Sequence, residues 1–163
     1  MTRFRRILVP HDFSSHATRA LRVAADLAAP GGALVVLHAI PPYTPATDLP
    51  VAELGAYISP AELLSGARRR LEREVLRALG SRPTPRVTVA VELDEPLPCI
   101  LRYSRGMDLI VIATAGRTGL SHLVIGSVAE RIVRHSPIPV LSMRPEVAAR
   151  LARHRRASAP RRR

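Results

Sequence analysis

"DLIVIATAGRTGLSHLVIGSVAERIVRH", residues 108–135, decides how this chain is read. Its first part, Asp108 to Thr114, is a short apolar run of the kind a fully buried strand uses. Its last part, Ser127 to His135, reads as a helix. Between them lies a loop with Gly116, Gly119 and Gly126 and several small hydroxyl residues. Two readings stand side by side. The loop is either a flexible strand-to-helix connector in which Ser127 is the N-cap, or a cradle for an anion. Glycines allow positive φ and close backbone approach, and the free N–H groups and dipole of the next helix favour phosphate. A glycine pattern alone does not separate the two. No Gly-Lys-Ser/Thr closes the loop, so it is not a P-loop.

The same alternation extends outward in both directions. "RRILVP", Arg5 to Pro10, is a buried strand, followed by "HDFSS" and a helix capped by Ser14. Ala17, Ala20, Leu21, Ala24, Leu27 and Ala28 share one face of that helix, and Pro30-Gly31-Gly32 is expected to stop it. Ala33 to Ala39 is a second strand. Ile40 to Ser59 is a Pro-rich connection without period, and loops of that length in compact domains are usually functional or mobile. Ser59, Pro60 and Glu62 form a capping-box start for a helix that runs to Leu79 and ends at Gly80. Arg86 to Glu92 alternates at period two, a third strand. Pro96 to Arg105 is a short helix closed by Gly106, and Ile138 to Met143 is a fifth strand after Ser136-Pro137. The order is β-α-β-α-β-α-β-α-β. Strands that are apolar throughout and alternate with helices imply an α/β, doubly wound parallel sheet covered on both faces. Such sheets take ligands beyond the carboxyl ends of their strands, where the strand order reverses.

Composition narrows the class. The 163 residues, 47% of them hydrophobic, suit one packed domain. No apolar run approaches the roughly 20 residues of a membrane span, and the apolar stretch after "MTRFRR" is too short for a signal peptide, so a cytoplasmic protein is expected. The lone Cys99 excludes an internal disulfide and reads as packing. The net charge is +12, carried by arginine alone. Eight arginines and one glutamate from Arg144 onward hold +7 of it. A domain over 1–144 and a disordered basic tail over 145–163 are expected. The tail is either a solubilising end or an electrostatic site for a polyanion or acidic protein. With aromatics at 3%, base stacking has no support.

"ATAGRTGLSHLVIGSVAERIVRHSPIPVLSMR" resembles the C-terminal signature of the universal stress proteins, and "RRILVPHDFSSHATRALRVAADLAAPGGALVVLHAI" resembles their N-terminal half. The resemblance covers roughly residues 4–144. It implies a five-stranded, adenine nucleotide alpha hydrolase-like fold with order 3-2-1-4-5, commonly a homodimer through the fifth strand. Many members bind ATP through Gly-x2-Gly-x9-Gly-Ser/Thr; others lack the motif and do not. Here the motif reads Ala113-x2-Gly116-x9-Gly126-Ser127, with Ala113 where the family has glycine. By the same resemblance Asp12 contacts the nucleoside, a backbone group at Ala39 holds the adenine edge, and Pro10 and His11 line that wall. Gly119, Ser127 and Val128 belong to the phosphate side, and Arg117 is either a phosphate partner or a solvated loop charge. The implied function is an ATP-binding, dimeric stress-response sensor or regulator, with or without Mg2+, hydrolysing ATP slowly at most. The alternative is an interaction module of the same fold without nucleotide.

Other constellations carry less. His11-Asp12 reads as a general base with its orienter only if both face one way, and neighbours at a strand end face opposite ways. Ser121-His122 has no acid placed to complete a triad. The histidines show no metal spacing. His38 reads as a core or interface residue. Arg68-Arg69-Arg70 reads as a solvated, partly paired helix face beside Glu72 and Glu74.

Overall fold

The computed structural model describes residues 4–42, 59–80, 85–114 and 126–143. The segment 43–58, Gly116, Arg117, Gly119, Ser121-His122 and the tail 145–163 lie outside the described residues. The chain runs β1 Phe4–Pro10, α1 Ser15–Leu27, β2 Ala28–Ile40, α2 Pro60–Leu79, β3 Arg86–Leu93, α3 Pro96–Tyr103, β4 Leu109–Ala113, α4 Ser127–His135 and β5 Val140–Met143. The strands form one parallel sheet in the order β3-β2-β1-β4-β5.

Alternation along each strand divides the core in two. Ile7, Val9, Leu34, Val36 and Val111 turn to one face, where Ala20, Leu21 and Ala24 of α1 and Leu71 and Leu79 of α2 cover them. Leu8, Leu37, Ile110 and Ile112 turn to the other, beneath Cys99 and Ile100 of α3 and Ala129 and Ile132 of α4. Both faces of the central strands are therefore dry, which is why these strands read as unbroken apolar runs. The helices change face between β1 and β4, so the strand order reverses there.

Local chemistry sets the ends of the elements. The Ser14 hydroxyl accepts from Ala17 N at 3.1 Å. At α2, the Ser59 hydroxyl accepts from Glu62 N while Glu62 accepts from Ser59 N, the reciprocal box expected. Gly80 ends α2 at φ 59°, and Gly106 turns the chain after α3 at φ 75°. β5 begins two residues later than the sequence indicates. Pro139 has no N–H for a ladder, and only its carbonyl takes part, accepting from Ile110 N at 3.0 Å.

The end of α1 is also corrected. Pro30-Gly31-Gly32 does not stop α1; the helix ends at Leu27, and these three residues lie within β2. The pairing passes from Phe4↔Ala28 to Arg6↔Ala33, so β2 fits extra residues against β1 here. The reason for glycine is space. A Cβ on Gly32 would stand 2.9 Å from the Ala29 carbonyl oxygen and 3.1 Å from that of Arg5.

The same substitution should have opposite signs at two sites. Gly32→Ala forces backbone apart and should destabilise the fold by about 1–3 kcal/mol. Gly66→Ala, within α2 where an added Cβ meets nothing within 4 Å, should stabilise it by about 0.5–1 kcal/mol. Urea denaturation of both variants checks the pair.

Candidate functional site

β1 and β4 pair at Ile7↔Leu109 and Leu8↔Ile110, and no further rung joins them toward their carboxyl ends. A gap opens where the order reverses. Main-chain groups of successive strand residues point to alternate sides, so the observed bonds tell which groups face that gap. Arg6 O accepts from Asp108 N, which directs Arg6, Leu8 and Pro10 toward β4. Ile110 N donates to Pro139 O and Thr114 N to Met143 O, which directs Ile110 and Thr114 toward β5 and Ala113 toward β1. Leu37 O accepts from His11 N and Ile40 O from Asp94 N, so the main chain of Ala39 points past the end of β1. Pro10, Ala39 and Ala113 thus turn main-chain groups to one cleft. Asp12 follows β1 in the next turn, with Oδ1 accepting from Ser14 N at 3.0 Å.

The far wall is the start of α4. Its N-cap is Gly126, one residue before the expected cap at Ser127. Gly126 N donates to Thr114 O at 2.6 Å, and a Cβ there would lie 3.1 Å from the same oxygen. The glycine is required to bring the helix against the end of β4, and its N–H is already committed. The first helical bond runs from Glu130 N to Gly126 O. The N–H groups of Ser127, Val128 and Ala129 therefore precede the intrahelical ladder. Ser127 is exposed, while Val128 packs on the core below α3 and α4. Among the described residues, no group of three or more His, Cys, Asp or Glu could hold a metal ion.

The His11 imidazole is only 3% exposed and turns away from the cleft, beneath α1. Its Nδ1 accepts from Phe13 N at 3.1 Å, and Nε2 lies 3.4 Å from the Thr18 hydroxyl. Its carbonyl accepts from His38 Nδ1 at 2.7 Å. Its amide and carbonyl are committed toward β2, on Leu37 O and His38 Nδ1, and its ring packs against α1 at Thr18. Cys99 is buried in the α3 core, and burial raises its thiol above the usual range. Arg68 pairs with Glu72 at 3.2 Å, as the helix-face reading expects, but Arg70 stacks over the Phe13 ring, 4.1 Å from its centroid.

Thr114 and Phe13 carry contacts that the sequence does not announce, and His38, read as a core or interface residue, has a defined partner. Thr114, 4% exposed, ties β4 to β5 through its hydroxyl on Met143 O at 3.1 Å and takes Gly126 on its carbonyl. Phe13 adopts φ 65°, the only positive value among the described non-glycine residues. His38 binds the His11 carbonyl. The one legible signal was Asp12-Phe13-Ser14, an Asx-turn pattern. The others depend on contacts remote in sequence.

Known proteins agree with this architecture. The model for the universal stress protein family matches residues 3–144. A universal stress protein of Thermus aquaticus is 35% identical over 147 residues, covering 86% of this chain and 99% of its own. Among solved structures, UspA of Lactobacillus plantarum superposes with a TM-score of 0.65 at 22% identity, covering 88% of this chain and 100% of its own. A universal stress protein solved in complex with cAMP superposes with a TM-score of 0.58 at 17% identity, covering 87% and 98%.

Burial of His11 has a consequence for acid stability. Burial disfavours its cation, as do His38 and Arg70; Asp12 and Glu74 oppose this, and the balance lowers its pKa from 6.5 to about 4. The unfolded chain therefore takes up this proton first as pH falls. The His11 contribution to stability is constant above about 6.5, declines between there and about 4, and levels off below. The loss is roughly 3 kcal/mol at about 1.4 kcal/mol per unit. Denaturation of wild type and His11→Phe across this range should show the slope reduced in the variant.

Proposed function

The chain belongs to the universal stress protein family, and on that premise we propose that it binds an adenine nucleotide, ATP in the first place, in the cleft between the carboxyl ends of β1 and β4. The observation that carries this reading is the set of main-chain groups turned to one gap. The N–H and C=O of Ala39 offer the donor and acceptor that an adenine edge requires. The Asp12 carboxylate suits ribose hydroxyls, with Oδ2 in no hydrogen bond among the described residues. The first-turn N–H groups of α4 and the Ser127 hydroxyl suit phosphate oxygens, helped by the helix dipole. Gly116, Arg117 and Gly119 would complete the cradle from the loop. The fold-mate solved with cAMP supports an adenine ligand in this architecture. No described carboxylate cluster is built for a metal, so Mg2+ would arrive on the phosphates.

The role is that of a nucleotide-responsive regulator. The His11 ring packs under α1 and burial keeps it neutral near pH 7, which leaves it unsuited to activate a water, and any hydrolysis would be slow. Dimerisation fits the sheet edge. β5 is the last strand, and Leu141, 37% exposed, leaves apolar surface there. An open edge offers unpaired N–H and C=O groups to a second copy.

Titration calorimetry tests the site. Wild type should bind ATP at micromolar to sub-millimolar Kd. Asp12→Ala and Ser127→Ala should each weaken it about ten- to a hundredfold, the loss of one bond to a charged group at roughly 1.5–3 kcal/mol. Wild-type binding weaker than millimolar would leave the interaction-module reading in its place. For the edge, Leu141→Lys should shift a sedimenting dimer to monomer without loss of helical circular dichroism. A dimer that persists puts the interface elsewhere.

A further inference from the structure

The β1–α1 turn is held by more contacts than a connector needs. Phe13 sits at φ 65°, a conformation that glycine adopts freely and a bulky side chain rarely does. Its ring has partners on three sides. His38 of β2 lies against it at 4.3 Å between centroids, His11 meets it edge-on at 5.9 Å, and the Arg70 guanidinium of α2 stacks 4.1 Å from its centroid. The backbone of the turn is equally committed. The His11 carbonyl accepts from His38 and the Phe13 N–H donates to His11 Nδ1. The Ser14 N–H donates to Asp12 Oδ1, and the Ser14 carbonyl accepts from the Thr18 amide and hydroxyl. A strained residue persists only where its surroundings over-determine it, and such residues gather at binding sites. Here the strained residue is the direct neighbour of Asp12.

We propose that Phe13 is a positioning residue: clamped between His38, His11 and Arg70, it holds the Asp12–Ser14 turn in the shape that presents the Asp12 carboxylate to a nucleoside, and through Arg70 it makes that presentation depend on the seating of α2. This rests on the nucleotide reading above, since it assigns Asp12 a ligand. It gives α2 a means of regulating the cleft without touching it. Arg70 is exposed on the outer layer, so a partner that draws its guanidinium away would loosen Asp12.

A double-mutant cycle separates positioning from packing. ATP affinity is measured by calorimetry for wild type, Phe13→Gly, Asp12→Ala and the double variant. Phe13→Gly removes the ring and suits the positive φ, so the chain is free to keep its turn. If Phe13 acts through Asp12, each single variant loses roughly tenfold and the double loses no more than Asp12→Ala alone. Arg70→Ala should lose about threefold in the wild-type background and nothing in Asp12→Ala. Losses that multiply in the double variant, or a Phe13→Gly that binds as wild type, overturn the proposal. Amide exchange of Ser14 is read on the same variants without nucleotide. Its N–H should be protected in wild type and exposed in Phe13→Gly and Arg70→Ala. If wild type binds no ATP but this pattern holds, the nucleotide reading fails and the clamp stands. Unchanged Ser14 protection in both variants removes the clamp whatever ATP does.

Discussion

β1 is bonded on both edges, to β2 and to β4, and Ile7, Leu8 and Val9 are all 0% exposed. No other constraint organises so much of the molecule. A strand buried on both faces needs a helical layer on each, and the chain supplies two helices per layer. Because β1 is the central strand and comes first, the chain builds outward to β2 and β3 on one side, then crosses to β4 and β5 on the other. The crossing obliges the helices to change face. Two neighbouring strands whose following segments leave on opposite sides must part at their carboxyl ends, and the parting is the cleft.

Close backbone approach then shapes the walls. Gly126 has no side chain because the Thr114 carbonyl occupies the space, and its N–H is bound to that oxygen. The N–H groups of Ser127, Val128 and Ala129 precede the helical ladder. The glycine therefore acts by fit: it seats the start of α4 against the end of β4. Thr114 fastens this corner to β5 through Met143 O. The opposite wall is set by the turn after β1, where Phe13 joins β1, β2 and α2 in one contact group. Both walls are fixed by polar and aromatic contacts laid over an apolar sheet.

The hydrophobic pattern was a good guide wherever one force dominated. Unbroken apolar runs marked strands β1 and β4, since burial on both faces leaves no room for polar alternation. Ser14, Ser59 and Glu62 marked helix starts, because a cap acts within three residues of itself. The pattern misleads at Pro30-Gly31-Gly32, where breaker residues predict the end of a helix. They serve instead to accommodate extra residues of β2 against Arg5, a contact between segments that local propensity does not register. The family resemblance implies a place for His11 on the adenine wall; the pattern cannot show that its ring turns beneath α1.

What the sequence determined by itself was the α/β class, the succession of elements, the helix caps and, through "GRTGLSHLVIGS" and its N-terminal counterpart, the family. These rest on interactions within a few residues, or on the period that burial imposes along one element. Only the tertiary structure decided which main-chain groups face the cleft, that the Gly126 N–H is bound to Thr114, and that Phe13, His38 and Arg70 meet. Those depend on the register between strands and on the seating of one helix against another. Residues far apart in the chain, such as Phe13 and Arg70 or Thr114 and Met143, acquire their roles only when the sheet brings them within a few ångströms.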